Sequence, residues 1–291
     1  MRRIDTTQAD LHAAIDAEKP GWLAKAKKRT AQYKTAGKYG AGSEFWGDIK
    51  NVYIDLQHEK CAYCETKLAG KQLASKVHEV EHFRPKSKVS KWPAKAKKGV
   101  TPFVPPCKVG GESENGYYLL AYHPLNYAIA CTRCNSTLKS DYFPVRGRRN
   151  IQGSDPTKLK GEDALLIYPM GDIDADPSDL IRFDGVLAVP AKTRGKNFER
   201  ALITIEFFKL NHEDLTTRRA QIIAMLWRAL RTLELGNLPS DLRNDTQSTI
   251  DLSVAASGQF SSCARDFVDL YSTNKTLANE YGRLAQDLVG N

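Results

Sequence analysis

The sequence predicts an α+β fold in which helices at both ends of the chain flank a small core that contains strands. Three observations lead to this prediction: two Cys-x-x-Cys pairs at 61–64 and 131–134, an alternating apolar–polar segment between them, and helical periodicity before and after them. The 291 residues, of which 41% are hydrophobic, suffice for two domains or for one domain with a large extension.

The chain before the first cysteine pair predicts helices. Residues 8–35 have helical character, and the second half of this segment, WLAKAKKRTAQYK, is strongly basic. The glycine-rich sequence AGKYGAGS at 36–43 predicts a break. An amphipathic helix over 44–58 follows, with Trp46 at the border of its apolar stripe. The predicted core residues of this helix recur at helical spacing and are Phe45, Ile49, Val52, Tyr53 and Leu56.

The segment between the two cysteine pairs predicts a strand, a long loop and a short helix. KVHEVEHF at 76–83 alternates apolar and polar residues, which is typical of a half-buried strand. A basic, proline-containing loop then leads to GYYLLAYHPLNYAIA, which precedes the second cysteine pair. CNSTLKSDYF at 134–143 predicts a single helix that begins at this pair.

The remainder of the chain predicts short strands followed by helices. DALLIYP at 163–169 is predicted to be a strand, and DLIRFDGVLAV at 179–189 predicts two strands around a turn at Asp184 and Gly185. Helical periodicity begins near residue 196, with Asp214 as the predicted N-cap of a long second helix and three more helices after it. The predicted core residues of the first two helices are Leu202, Ile205, Phe208, Ile222, Met225, Leu226, Ala229 and Leu230.

These patterns predict a basic helical segment over 1–43, a cysteine-containing domain over 44–150 and a mostly helical accessory domain over 151–291. The net charge of +9 is uneven, because residues 1–150 carry 27 Lys and Arg against 14 Asp and Glu, whereas residues 151–291 carry 16 against 20. Such a basic half predicts a polyanionic partner, with simple solvation of the lysines as the alternative. The segment RPKSKVSKWPAKAKK at 84–98 carries no acidic residue, which favours nucleic acid as the polyanionic partner.

The cysteines are expected to bind metal. No apolar run is long enough to cross a membrane and the first residues have no signal-peptide pattern, so we expect a cytoplasmic protein that binds no membrane. In a reducing compartment, paired Cys-x-x-Cys sequences predict a structural zinc ion rather than disulfides. A redox site is the alternative, but neither pair lies in a thioredoxin-like pattern. Cys107 is interpreted as a loop residue and Cys263 as core. The predicted zinc ligands are Cys61, Cys64, Cys131 and Cys134.

The residues between the pairs carry groups that could perform chemistry. His82 is a candidate general base, and its neighbour Glu81 could bind a hard divalent cation. On its own, such a pair is more often structural. Asn126 and Asn135 add amide groups near the second pair, and an amide oxygen suits Mg²⁺. Four thiolates leave zinc no open position, so a catalytic ion would be a separate one.

Taken together, these residues resemble the HNH endonucleases, which have the ββα-metal fold. The pattern C-x-x-C, (D/E)-H-x-x-P, N, C-x-x-C-N is present in order, with Lys139 four residues after Asn135. The resemblance implies that His82 activates water, that Glu81 and Asn135 hold a catalytic Mg²⁺ or Mn²⁺, and that Asn126 orients the loop that carries the histidine. The acidic residue is glutamate where aspartate is more usual, and the last position is asparagine rather than histidine. Both departures are compatible with the mechanism.

The resemblance also implies hydrolysis of phosphodiester bonds, with DNA as the favoured polymer, by a basic surface around the site. The predicted nucleic-acid-binding residues are Arg84, Lys86, Lys88, Lys95, Lys97, Lys98 and Lys139. Three further histidines, His78, His123 and His212, are interpreted as structural, although His123 is near enough in sequence to approach the site.

A closer resemblance is to the HNH proteins of bacterial anti-phage systems of the Septu and retron-associated type. It is carried by WGDIKNVY…KCAYCE, VEHFRPKSK, YYLLAYHPLNYAIACTRCN, YFPV and TIEFFKLNHEDLTTRR. This resemblance implies a defence effector that degrades nucleic acid beside a partner ATPase, with the last helices serving docking or self-association into a homo-oligomer. A stand-alone nuclease or a Zorya-type effector remains open. The alternatives without catalysis are a zinc-ribbon nucleic-acid-binding module and a lysine-rich interaction protein.

The basic loop generates the first prediction. Replacing Lys95, Lys97 and Lys98 with alanine is expected to weaken nucleic-acid binding equally for all sequences, because such lysines contact phosphates rather than bases. The slope of log affinity against log salt concentration should also become flatter, which a titration at several salt concentrations measures. Loss of preference for one sequence alone would contradict this prediction.

Overall fold

The computed structural model describes residues 1–69, 80–94, 99 and 101–290, and its mixture of helices and two small sheets agrees with an α+β class. The strands are β1 (Val80–His82), β2 (Tyr127–Ile129), β3 (Ile181–Asp184) and β4 (Leu187–Pro190). The helices are α1 (Gln8–Glu18), α2 (Trp22–Ala36), α3 (Lys50–Leu56), α4 (Arg133–Lys139, of π type), α5 (Pro177–Leu180), α6 (Lys196–Phe207), α7 (Glu213–Leu233), α8 (Ser240–Val254), α9 (Ser261–Thr273) and α10 (Lys275–Gly290).

The helical segment predicted over 8–35 is divided into α1 and α2. Pro20 and Gly21 separate them, and Gly21 takes a left-handed φ of 80° that favours glycine. Thr7 begins α1 with a capping box that it shares with Asp10. Gly37 ends α2 in the same left-handed region, with φ 68°, where the sequence predicted the break.

The helix predicted over 44–58 begins as a 3₁₀ turn, Trp46–Ile49, and continues as α3. Its predicted apolar stripe is core. Phe45, Ile49, Val52 and Tyr53 are buried, and Leu56 is partly buried against them.

Strands β1 and β2 form an antiparallel pair at the centre of the molecule. Val80 pairs with Ile129, Glu81 with Ala128 and His82 with Tyr127. The prediction of a half-buried strand is wrong, because all three residues of β1 are buried. Aromatic side chains cover His82 on one face, and α4 covers Glu81 on the other. The first part of the predicted strand, 76–79, lies outside the described residues.

The strand predicted over 163–169 is not formed, although most of its apolar residues are buried. Its backbone N–H groups have scattered partners, because Leu165 donates to Pro144 O, Ile167 to Thr204 Oγ1 and Tyr168 to Asp174 Oδ2. Each of these bonds satisfies one backbone N–H group, and together they do not form the repeated pairing of a β-sheet. The predicted hairpin at 179–189 is confirmed as β3 and β4, with Gly185 at φ 55° in the turn.

The five helices predicted after residue 196 are confirmed as α6 to α10. The predicted N-cap of α7 is wrong. His212, not Asp214, has the extended backbone of an N-cap, and its Nδ1 accepts a hydrogen bond from Asp214 N at 3.2 Å. The interpretation of His212 as a polar residue at a helix start is therefore confirmed. Cys263 is fully buried in α9, as predicted.

One buried apolar cluster runs through the molecule, from the first residues to α10. The N-terminal segment joins distant parts of the chain, since Ile4 bridges Met170 and Arg2 donates to Val254 O. The proposed domain boundaries at 43 and 150 stay predictions. No helix in the described part of the chain is long and apolar enough to span a bilayer.

The packing of α10 on α7 generates a stability prediction. A Cβ added at Gly282 of α10 would lie 2.2 Å from Cγ of Trp227, so Gly282→Ala forces the helix or the ring to shift. We expect the free energy of unfolding to fall by about 2 kcal/mol, as measured by urea denaturation. Gly236→Ala is the matched control, because a Cβ added there meets no atom within 4 Å. Equal losses in the two variants would contradict the packing argument.

Candidate metal centre and active site

Four cysteine sulfurs converge where the two Cys-x-x-Cys pairs meet. The Sγ atoms of Cys61, Cys64, Cys131 and Cys134 all lie within 4.8 Å of one another, and those of Cys64 and Cys131 are 3.8 Å apart. A tetrahedral ion with metal–sulfur bonds of about 2.3 Å would place its ligands ~3.8 Å apart. Among the residues that the structure describes, these four form the group of side chains able to hold a metal.

The charges of the four thiols favour a bound cation. Burial raises the pKa of Cys61 well above its usual value, whereas hydrogen bonds from the neighbouring thiols lower the pKa of Cys64. Four thiolates this close would repel one another strongly, so all of them can ionise together only around a positive ion. The donor set therefore fits a metal with a preference for sulfur, and the choice of zinc stays a prediction.

The local backbone fixes the first cysteine pair. Cys61 N donates to Thr66 O at 3.0 Å, and Glu65 N donates to Cys61 O at 3.1 Å, with Glu65 in the left-handed region at φ 61°. Ala62 N donates to Ile129 O at 3.1 Å, which attaches this pair to β2. The second pair begins α4, so the two pairs hold β2 and α4 in a fixed relation.

Gln57 is a second clamp, and sequence reasoning missed it. Its amide donates to Lys60 O at 2.8 Å and Ile129 O at 2.7 Å, and its carbonyl accepts from Ile129 N at 2.7 Å. The side chain thus joins the end of α3 to the first cysteine pair and to β2. A lone glutamine after an amphipathic helix gives no sequence signal for this role.

Glu65 links the first cysteine pair to the C-terminal helices. This buried carboxylate contacts the N-terminal ammonium of Met1 at 2.6 Å and Lys60 Nζ at 3.7 Å, and it accepts a hydrogen bond from Ser261 of α9. Burial alone would raise the pKa of Glu65, but the two cations hold it well below its usual range. A fully paired buried carboxylate of this kind fixes the relative position of the segments that supply its partners.

His82 is buried and its tautomer follows from its partner. Nε2 lies 3.0 Å from Ala121 O, and because a carbonyl only accepts, Nε2 carries the proton. Nδ1 is then the nitrogen with a free lone pair. Trp46 and Tyr127 contact the ring edge-on, with centroids 4.8 Å and 5.0 Å away. Burial, followed by the charge of Lys86, lowers the pKa of His82 well below its usual value, so the ring is neutral at neutral pH.

Glu81 points to the opposite face of β1, as alternation in a strand requires. Its Oε1 lies 3.3 Å from Lys139 Nζ, and both side chains are buried. Burial raises the pKa of Glu81 to about 7, although Lys139 opposes this shift. The Lys139 ammonium is therefore the partner of Oε1, and a cation bound to this buried carboxylate would have to share that oxygen with it or displace it.

Asn126 holds the chain that follows His82. Its Oδ1 accepts from Arg84 N at 2.9 Å, and its Nδ2 donates to Arg84 O at 3.0 Å and to Leu120 O at 3.2 Å. The backbone adds a bond from Phe83 N to Asn126 O at 2.9 Å. The amide is fully buried and all of its hydrogen-bonding groups are used in fixing this loop.

Asn135 lies on α4 four residues before Lys139 and is half-buried. The π-type bond from Ser140 N to Asn135 O, at 2.7 Å, means about 4.4 residues per turn, so positions 135 and 139 share one face. Because Lys139 contacts Glu81, that face is directed towards β1. Asn135 therefore belongs to the helix that packs on the Glu81 side of the strand.

Two of the predicted nucleic-acid-binding residues are not at the surface. Arg84 is 4% exposed, and its Nε donates to Glu162 Oε2 at 3.1 Å. Lys139 is fully buried and pairs with Glu81. The prediction that these two side chains contact phosphates is wrong, because each charge is committed to an internal carboxylate. Glu162, which no sequence signal indicated, also accepts from Asn150 N at 2.8 Å.

The remaining predicted basic residues divide into two groups. Lys86 lies with its ammonium 4.7 Å from the Trp46 ring centre, beside His82, and Lys88 is exposed with Asp141 3.3 Å away. Lys95, Lys97 and Lys98 lie outside the described residues, as does His78. His123 is structural as interpreted, since its Nδ1 accepts from Leu125 N at 3.2 Å and caps a 3₁₀ turn.

Comparison with known proteins supports one part of the sequence interpretation. The chain is 30% identical over 174 residues to the Septu protein PtuB of Bacillus mycoides (strain KBAB4). This chain resembles Septu PtuB. The aligned region covers 60% of this chain and 50% of the relative, so the chain spans about half the length of the curated protein it matches.

The resemblance to Septu-type proteins inferred from the sequence is therefore confirmed. No protein-family model matches the chain, and no solved structure matches it significantly. The HNH assignment and the roles of its residues stay predictions.

The cysteine cluster generates a metal-content prediction. We expect about one metal ion per chain, with zinc as the predicted element, and expect Cys134→Ala to lose it. The free energy of unfolding should fall by about 3 kcal/mol or more, because folding and binding are coupled in such sites. Elemental analysis and thermal unfolding with and without chelator measure both effects. Cys107→Ser is the matched control, since this half-buried cysteine lies outside the cluster. Equal metal content in all three proteins would refute the site.

Proposed function

We propose that this chain is a metal-dependent HNH endonuclease that hydrolyses phosphodiester bonds of nucleic acid, with DNA favoured, around a zinc-stapled core. The observation that carries this proposal is the hydrogen-bond set of Asn126. An asparagine that uses its whole amide to hold the loop after His82 is what the middle residue of an HNH motif is expected to do. The β1–β2 pair and α4, joined by the cysteine cluster, supply the strand, strand and helix that such a site needs.

In this proposal His82 is the general base. With Nε2–H held by Ala121 O, Nδ1 of the neutral ring accepts a proton from water. The water oxygen then forms a bond to phosphorus while the bond to the 3′-oxygen breaks. The products are a 5′-phosphate and a 3′-hydroxyl end. Fixing the imidazole by packing and by a backbone carbonyl sets its orientation before the substrate arrives.

Glu81 and Asn135 would hold the catalytic divalent cation, Mg²⁺ or Mn²⁺. The buried carboxylate of Glu81 and the position of Asn135 on the facing side of α4 fit an oxygen-donor site, in which the ion would take the place that the Lys139 ammonium holds beside Oε1. Such an ion, when bound, neutralises charge that develops on the phosphate and the leaving oxygen. The Lys139 ammonium lowers the pKa of Glu81 against the effect of burial, while burial lowers the pKa of Lys139 itself, so a bound cation would compete with Lys139 for this carboxylate.

The second candidate function, a non-catalytic zinc-ribbon module that binds nucleic acid, has its own supporting observation. Glu81 and His82 are 3% and 6% exposed, and each has an internal partner. Buried, paired groups of this kind also serve purely structural roles. The nuclease is favoured because Asn126, Glu81 and His82 together are not needed for a module that only binds.

The cellular role is proposed from the Septu resemblance. A Septu-type protein would act as an anti-phage defence effector beside a partner ATPase, and this chain is proposed to share that role. The helices α7 to α10 then form the accessory part of the molecule, which we propose serves docking to the partner or self-association. The domain division at residues 43 and 150 belongs to the same proposal.

The test of catalysis is plasmid cleavage with Mg²⁺. We expect His82→Ala to lower the cleavage rate by about 10²–10⁴-fold, because the general base is lost while the metal cluster remains. Metal content should stay close to that of the unmodified chain, whereas the melting temperature should fall because a buried ring is removed, so cleavage is compared at a temperature where both proteins are folded. His212→Ala is the matched control, since this histidine caps α7 and has no role in the proposed chemistry. Binding without cleavage in the unmodified chain would favour the zinc-ribbon module instead.

A further inference from the structure

Helix α2 carries an uncompensated basic surface. Over its 15 residues it has five Lys and Arg and no acid, and Lys25, Lys27 and Lys28 are exposed. In the described part of the chain, none of these three lysines, nor Arg29, has a carboxylate within 4 Å. Cations that are held without counter-ions are the groups that a phosphate backbone neutralises.

Aromatic rings lie directly beneath this surface and hold its cations in place. Lys25 Nζ is 4.0 Å from the centre of the Phe45 ring, and Arg29 lies 5.5 Å from the same ring. Phe45 is in turn stacked on Tyr122 at 4.2 Å. Phe45 and Tyr122 are buried, so the two cations lie over a fixed aromatic surface while Lys25 itself stays exposed.

The surface continues to His82 through Trp46. This half-buried ring lies 5.3 Å from Tyr122 and 4.8 Å, edge-on, from the imidazole. The ammonium of Lys86 lies 4.7 Å from the Trp46 ring centre and 5.6 Å from that of half-buried Tyr39. A partly exposed ring, Trp46, therefore lies beside the candidate general base, with the Lys86 ammonium near both Trp46 and Tyr39.

We propose that α2, Lys86 and Trp46 form a track that binds single-stranded nucleic acid and leads it to His82. In this track Lys25, Lys28 and Arg29 neutralise consecutive phosphates. Trp46 contacts the base of the nucleotide next to the bond to be cut. The inference rests on the proposed nuclease site, but the binding surface is defined independently of metal and of catalysis.

The aromatic residues select a single strand over a duplex. In a duplex each base is stacked on its neighbours and offers no face to a protein ring, whereas every unpaired base does. A half-buried tryptophan beside His82, the residue proposed to activate water, suits an unstacked nucleotide. Lys86 would then move from the Trp46 ring to the adjacent phosphate. A site for duplex alone would need only the cations.

The test is binding of short fluorescein-labelled oligo(dT), compared with the matching duplex, without added divalent cation. We expect the unmodified chain to prefer the single strand. Trp46→Ala should weaken single-strand binding by about tenfold or more, Trp46→Phe should retain most of the affinity, and both should leave duplex binding nearly unchanged. Melting temperatures and metal content identify any variant that fails to fold.

The charged part of the track has its own measurement. Lys25→Gln/Lys28→Gln should reduce the slope of log affinity against log salt by about 1.4, because roughly 0.7 is lost per phosphate contact with a single strand. Lys192→Gln/Arg194→Gln is the matched control, since both residues are exposed and belong to the acidic half of the chain. The control pair is expected to leave the slope unchanged.

The outcomes separate this inference from the proposed catalysis. Single-strand binding that depends on Trp46 supports the track even if no variant cleaves nucleic acid. Folded Trp46→Ala that binds oligo(dT) as tightly as the unmodified chain overturns it, even if cleavage still requires His82. A preference for duplex, or equal salt slopes in the two double variants, overturns it as well.

Discussion

The convergence of four cysteine sulfurs is the constraint on which the rest of the structure depends. It joins two segments separated by 66 residues and fixes both the end of β2 and the start of α4. The β1–β2 pair is only three residues long on each side, too short to be stable alone. An ion bound by the four cysteines would cross-link its edge, and Gln57, bonded to the same strand, adds rigidity that a larger sheet would otherwise provide.

Three buried polar side chains near this cluster, Asn126, Gln57 and Glu162, are paired with backbone or with opposite charge. Asn126 and Gln57 form hydrogen bonds with backbone groups that are not paired within the β1–β2 sheet. Glu162 accepts hydrogen bonds from both Asn150 N and Arg84 Nε. Each of these side chains bonds to segments far apart in the sequence. Because an unpaired buried polar group is costly, such networks favour one arrangement of the loops. The candidate active site is therefore held mainly by irregular segments and polar clamps.

The sequence predicted what depends on local pattern and failed where long-range contacts decide. The grouping of the four cysteines, the helices after residue 196 and the hairpin at Gly185 follow from spacing and turn chemistry. The burial of Arg84 and Lys139 could not be predicted. A basic stretch is expected at the surface unless buried carboxylates are known to pair with it. Glu162 lies 78 positions from Arg84, and no periodicity connects them. The prediction of a strand at 163–169 is wrong because its apolar residues are buried without a neighbouring strand to pair with.

The burial of His82 and Glu81 is consistent with chemistry when their two environments are compared. The imidazole is surrounded by rings, and burial together with the charge of Lys86 keeps it neutral, as a proton acceptor must be. The carboxylate lies on the other face beside the Lys139 ammonium, so its charge is supported without competing with the imidazole. For both groups to act on one phosphate, that phosphate must lie across the end of β1, where these two adjacent side chains diverge. A divalent cation held by Glu81 and Asn135 would take over the charge compensation that Lys139 gives this buried carboxylate, and that exchange is what separates the nuclease from a purely structural ion pair.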